Sequence, residues 1–294
     1  MKLLRAATVV VADPASTAAH YVRWLDYSVV ETGVVAPGLA DSWGAPGAAG
    51  RRYAIVAPLS GADVYLRFVE GETIADYRPL RTYGWAAIEI CVQDVLKVNE
   101  RLTLSPFTVI GPPRQLDGLP TIFPMQVRGP DQEIIYLTEI RGDLPEYDLP
   151  RAASPIDKLF ISVLACSDMR ASLTWFEKHL KLTAGREISI VYTMLANAFE
   201  LPVDGKHTLA TMTHERDVFL ELDQYPDAAT PRPSKARALP PGVALTTFKH
   251  PDFASLEGPW VTPPASHQGA VYRGGRAGTM RAPDGTLVEV VEIA

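Results

Sequence analysis

Acidic side chains stand at two places where the chain repeats itself with a change of chemistry. The segment RAPDGTLVEVVEI at 281–293 repeats RGPDQEIIYLTEI at 128–140, and Glu289 stands where the first copy has Tyr136. In the same way DVFLEL at 217–222 repeats DVYLRF at 63–68, with Glu221 in place of Arg67. Carboxylates accept protons or bind hard cations, whereas arginine and tyrosine donate hydrogen bonds to anionic or phenolic oxygens. Four histidines, His207, His214, His250 and His267, belong to the second half. Of these His250, at the corner that follows GVALTTF, is expected to be the best placed for acid/base work.

A third pair sets Asp13, Tyr21 and Leu25 against Asp168, Phe176 and Leu180 at nearly the same offset. Three agreeing registers indicate a duplicated chain. The Pro-rich junction at 139–157 divides it into expected domains of residues 1–145 and 154–294. Each half divides again, at 68–84 and at 225–242. Within a module the pattern is an apolar strand, an amphipathic helix and further strands with period-two alternation. The first helix, PASTAAHYVRWL, is expected to turn Ala18, Tyr21, Val22 and Leu25 to the core. The fourth helix, near PDFASLEG, must be short. On the last strand Leu287, Glu289 and Val291 share one face, and Val288 and Val290 the other.

A strand, a helix and three strands, used four times, resemble the vicinal oxygen chelate superfamily of glyoxalases, extradiol dioxygenases and bleomycin-resistance proteins. The carriers are the two Asp-Tyr/Phe-Leu helix entries and the closing string APDGTLVEVVE at 282–292, and the resemblance covers nearly the whole chain. It implies an α+β fold: a tandem duplication of paired βαβββ modules, with four modules in two cup-shaped domains. It places the closing-strand ligand positions at Arg67, Tyr136, Glu221 and Glu289, and the opening-strand positions at Ala6, Ala87, Ile161 and Leu245, with Lys158 in place of Ile161 under a shifted register of the third module. The N-terminal cup is then expected to hold no metal, and Arg67, Tyr136 and a lid residue, Trp43, to bind substrate. Arg67 paired with Glu89 as a structural ion pair is the alternative. The C-terminal cup is expected to bring Glu221 and Glu289 together as an acid/base pair, with His250 near its mouth, or as ligands of a divalent cation such as magnesium, manganese or iron. Arg186 or Arg281 could instead neutralise them. The implied function is a lyase, an isomerase or a ring-processing enzyme acting on a small oxygenated metabolite; the alternative is a non-catalytic small-molecule binder of the bleomycin-resistance type.

With 294 residues, 47% of them hydrophobic and 21% charged, each half can bury a core of its own. A formal net charge of −6 without a basic run argues against nucleic acid as a partner. No segment reaches the roughly 20 apolar residues of a membrane helix. The start, MKLLRAATVVVADP, reads as a first strand rather than a signal peptide. Cys91 and Cys166 read as buried thiols of a reducing cytoplasm. The expected partner is a small molecule, and the expected assembly a monomer or homodimer.

Overall fold

The computed structural model describes residues 2–116 and 118–292, so Ile293 of the repeated segment lies outside it. Module one comprises β1 (Leu4–Val11), α1 (Pro14–Leu25), β2 (Tyr27–Val34), α2 (Pro37–Ser42), β3 (Arg52–Pro58) and β4 (Tyr65–Glu70). Module two comprises β5 (Gly84–Val92), α3 (Val95–Leu102), β6 (Thr108–Gly111), β7 (Ile122–Arg128) and β8 (Ile134–Ile140). The third adds two small elements: β9 (Ile156–Cys166), α4 (Met169–Leu180), β10 (Thr183–Ala184), β11 (Ile188–Val191), α5 (Thr193–Phe199), β12 (Lys206–His214) and β13 (Asp217–Gln224). The fourth has β14 (Gly242–His250), β15 (Ala265–Ser266), β16 (Arg276–Arg281) and β17 (Leu287–Glu292), and its helix shrinks to the single turn Phe253–Ser255.

The repeated helix entries do what their residues dictate. Asp13 accepts a hydrogen bond from Ala15 N at 3.1 Å, and Asp168 one from Ala171 N at 3.0 Å. Each satisfies a donor that a helix start leaves free. Tyr21, Leu25, Phe176 and Leu180 are buried beneath the two helices, while Val22, expected in the core, is exposed and Thr17 is buried instead. Asp168→Ala is expected to cost about 1 kcal/mol of stability, read as a lower urea midpoint with an unchanged slope.

The sheets join modules in an order the duplication does not announce. One runs β15-β16-β17-β14-β1-β4-β3-β2, and the other β10-β12-β13-β9-β5-β8-β7-β6. The first module thus shares a sheet with the fourth, and the second with the third. The cups are not the expected halves 1–145 and 154–294, because β1 zips antiparallel to β14 and β5 to β9. Side chains on the remaining faces, including Ile88, Ile90, Leu164, Phe248, Val288 and Val290, form one core with the helices. There Trp85 Nε1 donates to Leu287 O at 2.7 Å across the two sheets. Modules within each half stay connected through the helix entries. Asp131 accepts from Ala12 N and Thr17 Oγ1, and its repeat mate Asp284 accepts from Ser167 N and Oγ.

Candidate functional site

Each sheet curls around a centre with one common register. In the first, Glu289 lies beside Thr247 and Thr247 beside Ala6, while Arg67 lies beside Thr8 and Thr8 beside Leu245. In the second, Glu221 lies beside Val163 and Val163 beside Ala87, while Tyr136 lies beside Glu89 and Glu89 beside Ile161. The opening-strand neighbours of the four closing positions are therefore Thr8, Glu89, Val163 and Thr247. Each stands two residues beyond the expected Ala6, Ala87, Ile161 and Leu245, on the same face.

The first cup is plugged. Glu289 is fully buried and accepts from Trp43 Nε1 at 2.7 Å, Tyr272 OH at 2.8 Å, Thr247 Oγ1 at 2.6 Å and Arg67 at 3.2 Å. Arg67, 2% exposed, also donates to Thr8 Oγ1 at 2.9 Å and Tyr272 OH at 2.6 Å, and its guanidinium lies 4.5 Å from the Trp43 ring centre. Both carboxylate oxygens are used, and only about 20 Å³ of cavity remains beside Arg67.

The second cup is open. A cavity of about 370 Å³ has Glu89, Tyr136, Tyr192 and Glu221 on its floor and a wall of Ile122, Ile140, Phe160, Ile188, Ile190 and Leu209. Tyr192 OH donates to Tyr136 OH at 2.7 Å, which leaves the Tyr136 hydroxyl hydrogen free to donate elsewhere. Glu89 takes a hydrogen bond from Thr138 Oγ1 at 2.5 Å on one oxygen. Asp223, 2% exposed and two residues beyond Glu221 on the same face, has Oδ1 without a hydrogen-bond partner. Burial pushes the Glu89 and Asp223 carboxyls up to about 7, the Thr138 hydroxyl opposing the shift at Glu89. Glu221 is raised well above the usual carboxylate range, first by burial and then by the charges of Asp223 and Glu89. These carboxyls titrate as a set, with Glu221 holding its proton most firmly and the Asp223 carboxyl hydrogen-bonded to it.

The expected site residues divide accordingly. Glu221 and Glu289 do not share a pocket, and neither do Arg67 and Tyr136, because strand pairing puts the members of each pair in different sheets. Trp43 is no lid; it is buried in the plug at the end of α2. Arg67 pairs with Glu289 rather than with Glu89. His250 lies outside both cups: its Nδ1 accepts from Asp252 N at 3.2 Å and its Nε2 reaches Leu180 O at 3.0 Å, which pins the end of α4. Arg186 lines the mouth of the open cup, and Arg281 stands in a different cleft. Glu89 and Asp223 are the acids the sequence reading did not assign to a site. The period of two that selected Ala87 and Glu221 also reaches them. Tyr192 follows β11 and carries no such signal.

No protein-family model and no curated protein matches the sequence. Solved structures do match. Glyoxalase I from Zea mays aligns with 98% of this chain and 92% of its own at 17% identity and a TM-score of 0.64. A putative dioxygenase from Bacillus subtilis aligns with 99% of this chain and 85% of its own at 13% identity and a TM-score of 0.63. The chain has the vicinal oxygen chelate fold.

Proteins of the vicinal oxygen chelate superfamily commonly bind divalent metals. The first cup does not fit one, because the Arg67 guanidinium occupies the centre and four donors consume the Glu289 oxygens. In the second, burial favours the protonated carboxyls, and among the described residues no three of His, Cys, Asp and Glu converge as a ligand set. Cys91 and Cys166 are buried free thiols, and no helix among the described residues is long and apolar enough to cross a membrane.

Raised carboxyl pKa values set the direction of a pH effect on stability. Glu133, buried beneath Tyr21, is pushed up to about 8 by burial first and then by the Asp131 charge. A carboxyl raised in the folded state stabilises it fully below the unfolded value and loses that contribution as pH climbs through the folded value. Burial lowers His207, His250 and His267, which oppose this trend up to about pH 6.5, so melting temperature is expected to fall from there to about pH 8.5, and Glu133→Gln to flatten the fall. A melting temperature that rises across this window would contradict the assignment.

Proposed function

We propose that the second cup is the active site of an acid–base enzyme, an isomerase or lyase that moves a proton next to a carbonyl in a small, largely apolar substrate. The observation that carries this reading is the open cavity whose floor joins two carboxyls, Glu89 and Glu221, both raised by burial, to a free phenolic donor. Glu89 takes the proton from carbon, and the C–H electron pair moves onto the carbonyl oxygen as an enolate. The Tyr136 hydroxyl donates to that oxygen. As the enolate electron pair returns from oxygen to re-form the carbonyl, Glu221 delivers its proton to the opposite face of the same carbon, and the proton held by Glu89 passes back to Glu221 through the carboxyl cluster. The extensive apolar wall also favours a second reading, a protein that binds such a molecule without converting it.

Deuterium uptake at carbons next to the carbonyl, followed by NMR in deuterated buffer over a panel of apolar ketones, tests the first reading. Exchange that depends on Glu89 supports it. Panel members that bind in the cup yet exchange no faster than in buffer would establish the binder instead.

A further inference from the structure

We infer that the ligand of the second cup is an organic cation, a protonated amine or quaternary ammonium joined to an apolar body; this rests on the acid–base reading of the same site and specifies the charge of its substrate. The first cup shows the arrangement already filled by the protein itself. There a guanidinium lies 4.5 Å from the Trp43 ring centre and 5.5 Å from that of Tyr272, and it pairs with Glu289 at 3.2 Å. Aromatic faces and a carboxylate together hold a cation away from water.

The second cup repeats the register with no cation at the four equivalent positions, and Arg186, which lines its mouth, makes no ion pair with the carboxyls of its floor. Where the first sets an arginine against a glutamate, the second sets Tyr136 against Glu221, with small neighbours at Val163 and Ala87. The exchange opens about 370 Å³ where the first cup keeps about 20 Å³. Carboxyls remain at Glu89, Glu221 and Asp223, and no lysine, arginine or histidine among the described residues hydrogen-bonds or pairs with any of them. Asp223 stands behind Glu221, outside the cavity lining, and the two carboxyls are hydrogen-bonded to one another. A pair that shares one proton keeps one negative charge. A ligand cation would pair with that charge, leaving the proton on Glu221, and meet the rings of Tyr136 and Tyr192, whose centres lie 6.2 Å apart. The aliphatic wall then takes the apolar body.

Calorimetric titration of the full-length protein with phenylbutylamine, phenylbutanol and phenylbutyrate separates the three charge states on one scaffold. The amine is expected to bind about tenfold or more tighter than the alcohol, and the acid weakest. Glu221→Gln should lower amine binding by about tenfold while leaving alcohol binding nearly unchanged. Ile188→Trp, which fills the cavity, should weaken amine and alcohol alike, and circular dichroism should confirm that both variants are folded. Equal affinity for amine and alcohol, a preference for the acid, no binding of any of the three, or amine binding untouched by Ile188→Trp overturns the inference. The enzyme reading fails separately: it falls if the amine ranking holds but no ketone, amine-bearing or neutral, undergoes exchange. If neutral ketones exchange while the amine shows no preference, the enzyme reading stands and the cation inference falls.

Discussion

Glu221→Gln is expected to lower turnover by about 10²- to 10⁴-fold, the range over which a positioned acid or base contributes, without loss of stability. Glutamine keeps the length and a hydrogen-bond donor but cannot release a proton to carbon. Its amide can still donate to the Asp223 carboxyl, and it removes an acid whose ionisation burial opposes. The melting temperature should therefore be unchanged or higher. Tyr136→Phe should lower the rate as well, because it removes the free hydroxyl offered to the substrate oxygen. Glu289→Gln provides the contrast, since its carboxylate is sealed in the other cup and turnover per folded molecule should persist. Wild-type turnover by Glu221→Gln on an identified substrate would remove Glu221 from the mechanism.

Breaking the plug is expected to cost stability instead. Glu289→Gln leaves the guanidinium of Arg67 in a buried site without its anion, and Arg67→Met leaves the Glu289 carboxylate without its cation. Either change should destabilise the fold by about 3 to 5 kcal/mol, because an unpaired buried charge loses its partner and does not regain water. The double variant Arg67→Met with Glu289→Gln should recover much of that loss, since it removes both charges together. Urea unfolding of the three variants measures the coupling. Additive losses would mean that the pair does not act as a unit.

The sequence displays the parts of the fold that local physics decides. Aspartates that satisfy helix-start donors, aromatic and aliphatic residues about two and three turns later, and the parity of Leu287, Glu289 and Val291 all appear in the structure as the spacing predicts. The pairing of modules was not legible. Strands β1, β5, β9 and β14 each present a long apolar face, and antiparallel zipping of any two would bury it. Remote contacts, such as Trp85 Nε1 to Leu287 O, accompany the pairing that forms. The site inherited this ambiguity. Glu289 and Glu221 were each recognised as inward acids, but whether each faced an arginine, a tyrosine or the other depended on which module stood opposite.

The sheet that joins the first and fourth modules also sets an order of events for a chain emerging from the ribosome. β5 and β9 belong to consecutive modules, so the sheet containing the open cup can assemble while the C-terminal module is still being made. β1 has no such neighbour nearby. It must wait for β14, whose Thr247 pairs with Ala6, and the plug closes only after β17 delivers Glu289. Until then the partner edge of β1 is unpaired and exposed to association with other chains. Long-range closure of this kind leaves that edge of the N-terminal module open until the fourth module has been made.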